Sequence, residues 1–176
     1  MTARHPLPTR WLMTDERVKD LLAAVDRLPE GSGIVFRHYS LAPAARRSLF
    51  EEVKAAARAR RMMLLLAGPA DEAEAWGADG SHGRGPGRGL RSAPAHGLAE
   101  IRAAEAEGAA LVFLSPVFAT RSHPDAQVLG AEGFAALAAQ TELPVVALGG
   151  MNESRFILLE GAHGWAGIDA WAVHDG

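Results

Sequence analysis

Short apolar runs recur along the chain, and nearly every one is followed by a stretch with helical spacing. Residues 10–15 (RWLMTD), 33–39 (GIVFRHY), 62–66, 111–114, 144–148 and 165–171 read as strands. Residues 90–95 form a weaker candidate because Pro94 removes a ladder donor. Apolar positions at helical period predict helices over about 16–28, 42–61, 70–76, 97–108, 131–140 and 153–160. Thr14 and Asp15 are placed to cap the first of these, since their oxygens accept the free N–H groups of a first turn. The later strands are continuous apolar runs, as parallel strands covered on both faces must be. About eight strand–helix units in one domain spanning residues 1–176 predict a compact (β/α)8 TIM barrel of the α/β class.

Length puts that expectation under pressure, because 176 residues is below the roughly 200 such barrels usually need. The economy falls in two places. The fourth unit is stripped down around Ser81–Gly89 (SHGRGPGRG), whose glycines predict mobility, and only VHDG remains where a final helix belongs. An open or incomplete barrel is the alternative.

Composition excludes several function classes. There is no Cys, so disulfides, thiolate catalysis and cysteine-ligated metals are ruled out. A formal charge of −3 gives no basis for a nucleic-acid partner. No apolar run approaches the roughly 20 residues of a membrane span, and the first ten residues lack the apolar centre of a secretory signal. The expectation is a cytoplasmic protein with no membrane partner, and a homo-oligomer is compatible with it.

The chemically able side chains cluster after strands. The run Leu111–Leu114 opens into a loop holding Thr120, Arg121, Ser122, His123 and Asp125, the densest set of donors and charges in the chain. Gly149-Gly150 lies between an apolar strand and a helix start. It reads either as a phosphate cradle of backbone N–H groups, completed by residues 167–170, or as an ordinary tight turn. Asp169 sits awkwardly in such a cradle, because a carboxylate repels a phosphate unless a cation intervenes. His38, His82, His96 and His123 each fall at or just past a strand end, where a barrel places acid–base chemistry, whereas His5 and His174 lie near the termini. The seven His residues show no metal-ligand spacing. Arg37 stands in an apolar run, where a charge needs a partner or a ligand. Arg84 and Arg88 flank Gly85-Pro86-Gly87 and read either as a mobile anion clamp or as a solvated basic loop. The four Trp residues read as packing.

Together these segments resemble the thiamine phosphate synthase/TenI group. The resemblance is carried by Trp11–Asp15 (WLMTD), the frame Gly77–His82 (GADGSH) and the sixth-strand motif SPVFAT with Pro124-Asp125-Ala126 and Leu129-Gly130. It continues through PVVALGGM (residues 144–151) and GAHG (residues 161–164). It implies a (β/α)8 barrel in thiamine biosynthesis or salvage, a transferase that binds a small phosphorylated heterocycle of the thiazole phosphate or thiamine phosphate type. By this likeness, Arg37, Thr120, Ser122, Gly149 and Gly150 bind substrate or phosphate, and His96 and His123 carry catalysis.

The resemblance is uneven. The family's Asn-Asp pair after the third strand corresponds to Ala67-Gly68, and its second metal-binding Asp corresponds to Gly87. No metal ligands are therefore assigned, and Mg²⁺ enters only if synthase activity is retained. The alternatives are a metal-free thiazole tautomerase, whose usual His position here holds Pro116, or a catalytically inactive binding or regulatory module.

Overall fold

Side chains alternate across every strand, and that alternation sorts the apolar residues into two layers. The computed structural model describes residues 6–120 and 124–172. Among them eight strands follow in order: β1 (Arg10–Met13), β2 (Gly33–Phe36), β3 (Met63–Ala67), β4 (Gly80–His82), β5 (Leu90–Ala95), β6 (Leu111–Leu114), β7 (Val145–Leu148) and β8 (Gly164–Gly167). Each pairs in parallel with the next, and β8 pairs with β1, so the barrel is closed rather than open. Trp11 and Met13, Val35, Leu65 and Ala67, Leu111 and Phe113, Val146 and Ala166 fill the barrel interior. The alternate residues Leu12, Ile34, Phe36, Leu64, Leu66, Val112, Leu114 and Val145 face outward and pack beneath the helices.

The outer layer consists of α1 (Leu21–Arg27), α2 (Pro43–Ala59), α3 (Ala70–Trp76), α4 (Leu98–Ala106), α5 (Gly130–Ala138) and α6 (Glu153–Phe156). No helix joins β4 to β5, and among the described residues none follows β8. The fourth unit is thus reduced to a loop.

Several local expectations are corrected. The first helix starts at Leu21, not at residue 16, because Asp20 rather than Thr14 or Asp15 accepts the Ala23 N–H at 3.0 Å. Arg37 lies just beyond β2 instead of inside it. Ser81 and His82 belong to β4, and the rest of the glycine-rich segment is tied down rather than loose. Glu107 accepts the Gly85 N–H at 2.9 Å, and the buried Arg91 donates to the Gly85 and Glu107 carbonyls.

Pro94 is accommodated inside β5 for a geometric reason. The Ser92 backbone faces β4 and accepts from Gly83, whereas the Ala95 carbonyl accepts from Ser115 beside β6. Alternation points the missing Pro94 donor towards β4, which has already ended at His82. No ladder bond is lost.

Candidate functional site

The parity that fills the barrel interior continues past the strand ends and builds the mouth. Beyond Met13 comes Asp15, beyond Val35 come Arg37 and Tyr39, beyond Pro94 comes His96, and beyond Phe113 comes Ser115. His82 follows Gly80 on the same face of β4. All six line one cavity of about 530 Å³, together with Arg17, Thr120, Gly149, Gly150 and Asp169. Phe113 forms its floor, with edge-on contacts to Trp11 at 5.2 Å and His82 at 5.3 Å between ring centroids.

One wall is a cluster of two cations around one carboxylate. Asp15 accepts from Arg17 Nε at 2.7 Å and from Arg37 Nη2 at 3.1 Å. Burial favours the neutral acid, but the hydrogen bonds and charges of the two arginines outweigh it, and Asp15 is held below the usual carboxylate range. Arg37 also donates from Nε to the Thr14 carbonyl at 2.7 Å. Burial lowers the Arg37 pKa, opposed by the Asp15 charge. Arg17 also feels the charge of Asp169.

The opposite wall carries two histidines of different character. His82 is 7% exposed, and its Nδ1 lies 2.8 Å from Ser92 Oγ. Burial, then the Arg37 charge, push its pKa down to about 4, so it is a neutral imidazole at physiological pH. His96 faces solvent, and its Nδ1 lies 2.9 Å from Glu100 Oε2, which also accepts the His96 N–H. Glu100 is in turn bonded to Arg84 at 2.8 Å. Burial raises the Glu100 pKa, but the His96 bonds outweigh this and hold it below the usual range.

The Gly149-Gly150 turn is dictated by packing. Both residues have positive φ, +102° and +59°. A Cβ on Gly149 would meet Pro116 Cα at 2.9 Å, and one on Gly150 would meet the Ala119 carbonyl at 2.7 Å. Only glycine lets the β7 turn lie this close to the segment after β6. Asn152 caps α6 by accepting the Arg155 N–H at 2.9 Å, and Arg155 donates to the Gly150 carbonyl.

Of the residues expected at the site, Arg37, His96, Thr120, Gly149 and Gly150 share the mouth cavity. Ser122 and His123 lie outside the described residues, as do Arg121, His5 and His174. Asp15, Arg17, Tyr39, Ser115 and His82 were not among the expected site residues. Asp15 and Ser115 lie two residues beyond the last interior residues of β1 and β6, Tyr39 lies four beyond Val35, and His82 stands on the interior face of β4 itself.

A family model described as thiamine monophosphate synthase matches residues 92–171. A putative thiamine-phosphate synthase 2 from Aquifex aeolicus is 35% identical over 133 residues, covering 68% of this chain and 72% of the relative. The chain belongs to the thiamine monophosphate synthase family. A thiamine-phosphate synthase from Pyrococcus horikoshii is 28% identical across 91% of this chain and 84% of its own length. A thiamine phosphate pyrophosphorylase structure from Pyrococcus furiosus matches the fold with a TM-score of 0.77, at 24% identity over 92% of this chain and 86% of that one.

At the metal positions that the family resemblance implies, this chain has Gly68 and Gly87, neither of which supplies a carboxylate of its own. Mg²⁺ takes hard oxygen donors, usually one or two carboxylates with phosphates and water. A Cβ on Gly87 would meet Arg91 Cδ at 2.8 Å and Ala70 Cβ at 3.0 Å, so a guanidinium arm crowds the place of a carboxylate. Beside Gly68 the nearest acid is Glu72, which pairs with Arg46 at 3.6 Å. Among the described residues no three His, Asp or Glu side chains converge as a metal site.

Proposed function

We propose that the protein binds a thiazole phosphate or thiamine phosphate type ligand in the mouth of the barrel, without a divalent cation. The observation that carries this reading is the Arg17–Asp15–Arg37 cluster on the wall of the cavity. Two guanidiniums stand beside a space of heterocycle size, with Asp15 and Asp169 as their carboxylate neighbours, so the wall offers an anion forked N–H donors rather than excess charge. Guanidinium forks suit phosphate oxygens, and low dielectric strengthens that attraction. Family membership supports the ligand class, since the relatives are described as thiamine-phosphate synthases. The neutral His82 imidazole and Tyr39 offer hydrogen-bonding and stacking partners for the ring part of such a ligand.

A second reading, a metal-free tautomerase, is favoured by one observation. His96 faces the cavity with Glu100 fixing its Nδ1, which leaves Nε2 to exchange protons with a bound ring. The assignment of the family's synthase reaction is weakened by Gly68 and Gly87, because departing pyrophosphate would have only arginines to neutralise it.

Thermal-shift titrations with thiazole phosphate and thiamine phosphate test binding. Assays of pyrophosphate release and of tautomer exchange then separate the chemistries. Saturable stabilisation by either phosphate without added metal supports the proposal, and the absence of any shift overturns it. Tautomer exchange abolished in His96→Ala supports the second reading.

A further inference from the structure

Directly behind the mouth lies a hydrogen-bond chain that the cavity lining does not include. Thr14 is fully buried, and His38 is 6% exposed with its ring stacked on Phe36 at 5.0 Å between centroids. Thr14 Oγ1 accepts the Arg37 backbone N–H at 2.9 Å and lies 3.0 Å from His38 Nδ1. The Thr14 carbonyl accepts Arg37 Nε at 2.7 Å, so Thr14 grips Arg37 at both backbone and side chain. Arg37 then projects to Asp15 on the cavity wall.

A hydroxyl has one proton to donate. The Thr14 oxygen accepts the Arg37 N–H on one lone pair, and of its two partners only His38 Nδ1 can accept the buried hydroxyl proton, which would otherwise go unpaired. That assignment puts the ring proton on Nε2. His38 also adopts φ +48°, a left-handed conformation that few residues other than glycine, Asn, Asp and His take up. The backbone there is bent so as to bring the imidazole under Thr14.

We propose that His38 is a positioning residue for the cationic wall of the mouth: its Nδ1 accepts the Thr14 hydroxyl proton, and Thr14 thereby holds Arg37 in register with Asp15. The role in ligand binding rests on the anion-binding reading given above, whereas the positioning of Arg37 does not. A protonated His38 would present a donor at both ring nitrogens, and the Thr14 hydroxyl would lose its acceptor. Burial lowers the His38 pKa, reinforced by the charges of Arg37 and of Arg46 from α2 and opposed by Glu16 and Asp15 from the β1–α1 loop. Acidification through the His38 titration therefore loosens Arg37.

The test uses the full chain labelled with ¹⁵N. Long-range ¹H–¹⁵N NMR reads the His38 tautomer, amide exchange reads the Arg37 N–H, and titration with inorganic phosphate reads the mouth. The expected wild-type result is an unprotonated Nδ1 and a protected Arg37 amide. His38→Gly tolerates the left-handed backbone but removes the acceptor. In this variant, exchange at Arg37 should rise and phosphate affinity should fall, each about five- to tenfold. His38→Asn, which keeps both the backbone tolerance and an acceptor oxygen, should recover most of each loss. A protonated Nδ1 in the wild type, or Arg37 exchange unchanged in His38→Gly, would overturn the proposal. Failure of the wild type to bind phosphate while Arg37 exchange responds as expected would count against the anion-binding reading and leave the positioning of Arg37 standing.

Discussion

Arg37 Nη2 lies 3.1 Å from Asp15 Oδ2, joining the ends of β2 and β1 across the lip of the barrel. Arg17 completes the cluster from the β1–α1 loop. The two arginines are the cations that any anion entering the mouth meets, and the first expectation concerns the more deeply placed of them.

Arg37→Gln should weaken binding of thiamine phosphate about tenfold, as loss of a charge-assisted hydrogen bond does. Its effect on folding should be small. Burial already disfavours the Arg37 charge, and Arg17 remains to satisfy Asp15. Calorimetric titration and thermal unfolding of the same variant check both halves.

His82 should make stability depend on pH. An unfolded histidine takes up a proton near 6.5, whereas native His82 stays neutral down to about 4. Across that window the unfolded state binds more protons, so the His82 contribution is whole above pH 6.5 and lost as pH falls towards 4. The gap corresponds to about 3 kcal/mol. Urea unfolding between pH 7 and pH 4 should show the wild type losing more stability than His82→Gln, by about that amount at most.

Gly149→Ala should destabilise the protein by about 1–3 kcal/mol. Its φ of +102° is unfavourable for alanine, and the new Cβ would meet Pro116 backbone that has no flexible end to swing aside. The urea midpoint should fall with no change in slope. An unchanged midpoint would mean that the turn is not held against the segment after β6.

The barrel is legible because strand and helix periods differ and apolar runs alternate with helical stretches in order, although β4, Gly80–His82, is not an apolar run. Residues 70–76 were read to their ends, since Gly68-Pro69 and Gly77 punctuate that helix on both sides. The first helix was misplaced because Val18 continues the apolar spacing backwards, while the capping side chain is Asp20. Tertiary contacts hid the order in the glycine-rich segment. Arg91, assigned only to a weak strand, faces outward where a fourth helix would pack and ties the loop to the end of α4. Pro94 looked like a strand breaker until the early end of β4 removed the partner that its missing N–H would need.

The site was legible in part for the same reason. Arg37 and His96 stood out as charge or imidazole beside apolar runs. Asp15 was read as a helix cap because its neighbours favoured local bonds, and its real partners sit 2 and 22 residues away. In the sequence His82 is one of four histidines at strand ends. Its burial and the Ser92 contact depend on β5 pairing with β4, which spacing alone does not reveal.

The most direct measurement is calorimetric titration of thiamine phosphate into the full chain, once in excess EDTA and once in Mg²⁺. The account predicts saturable binding with the same affinity in both buffers, weakened about tenfold in Arg37→Gln. Binding that appears only with Mg²⁺ would contradict it.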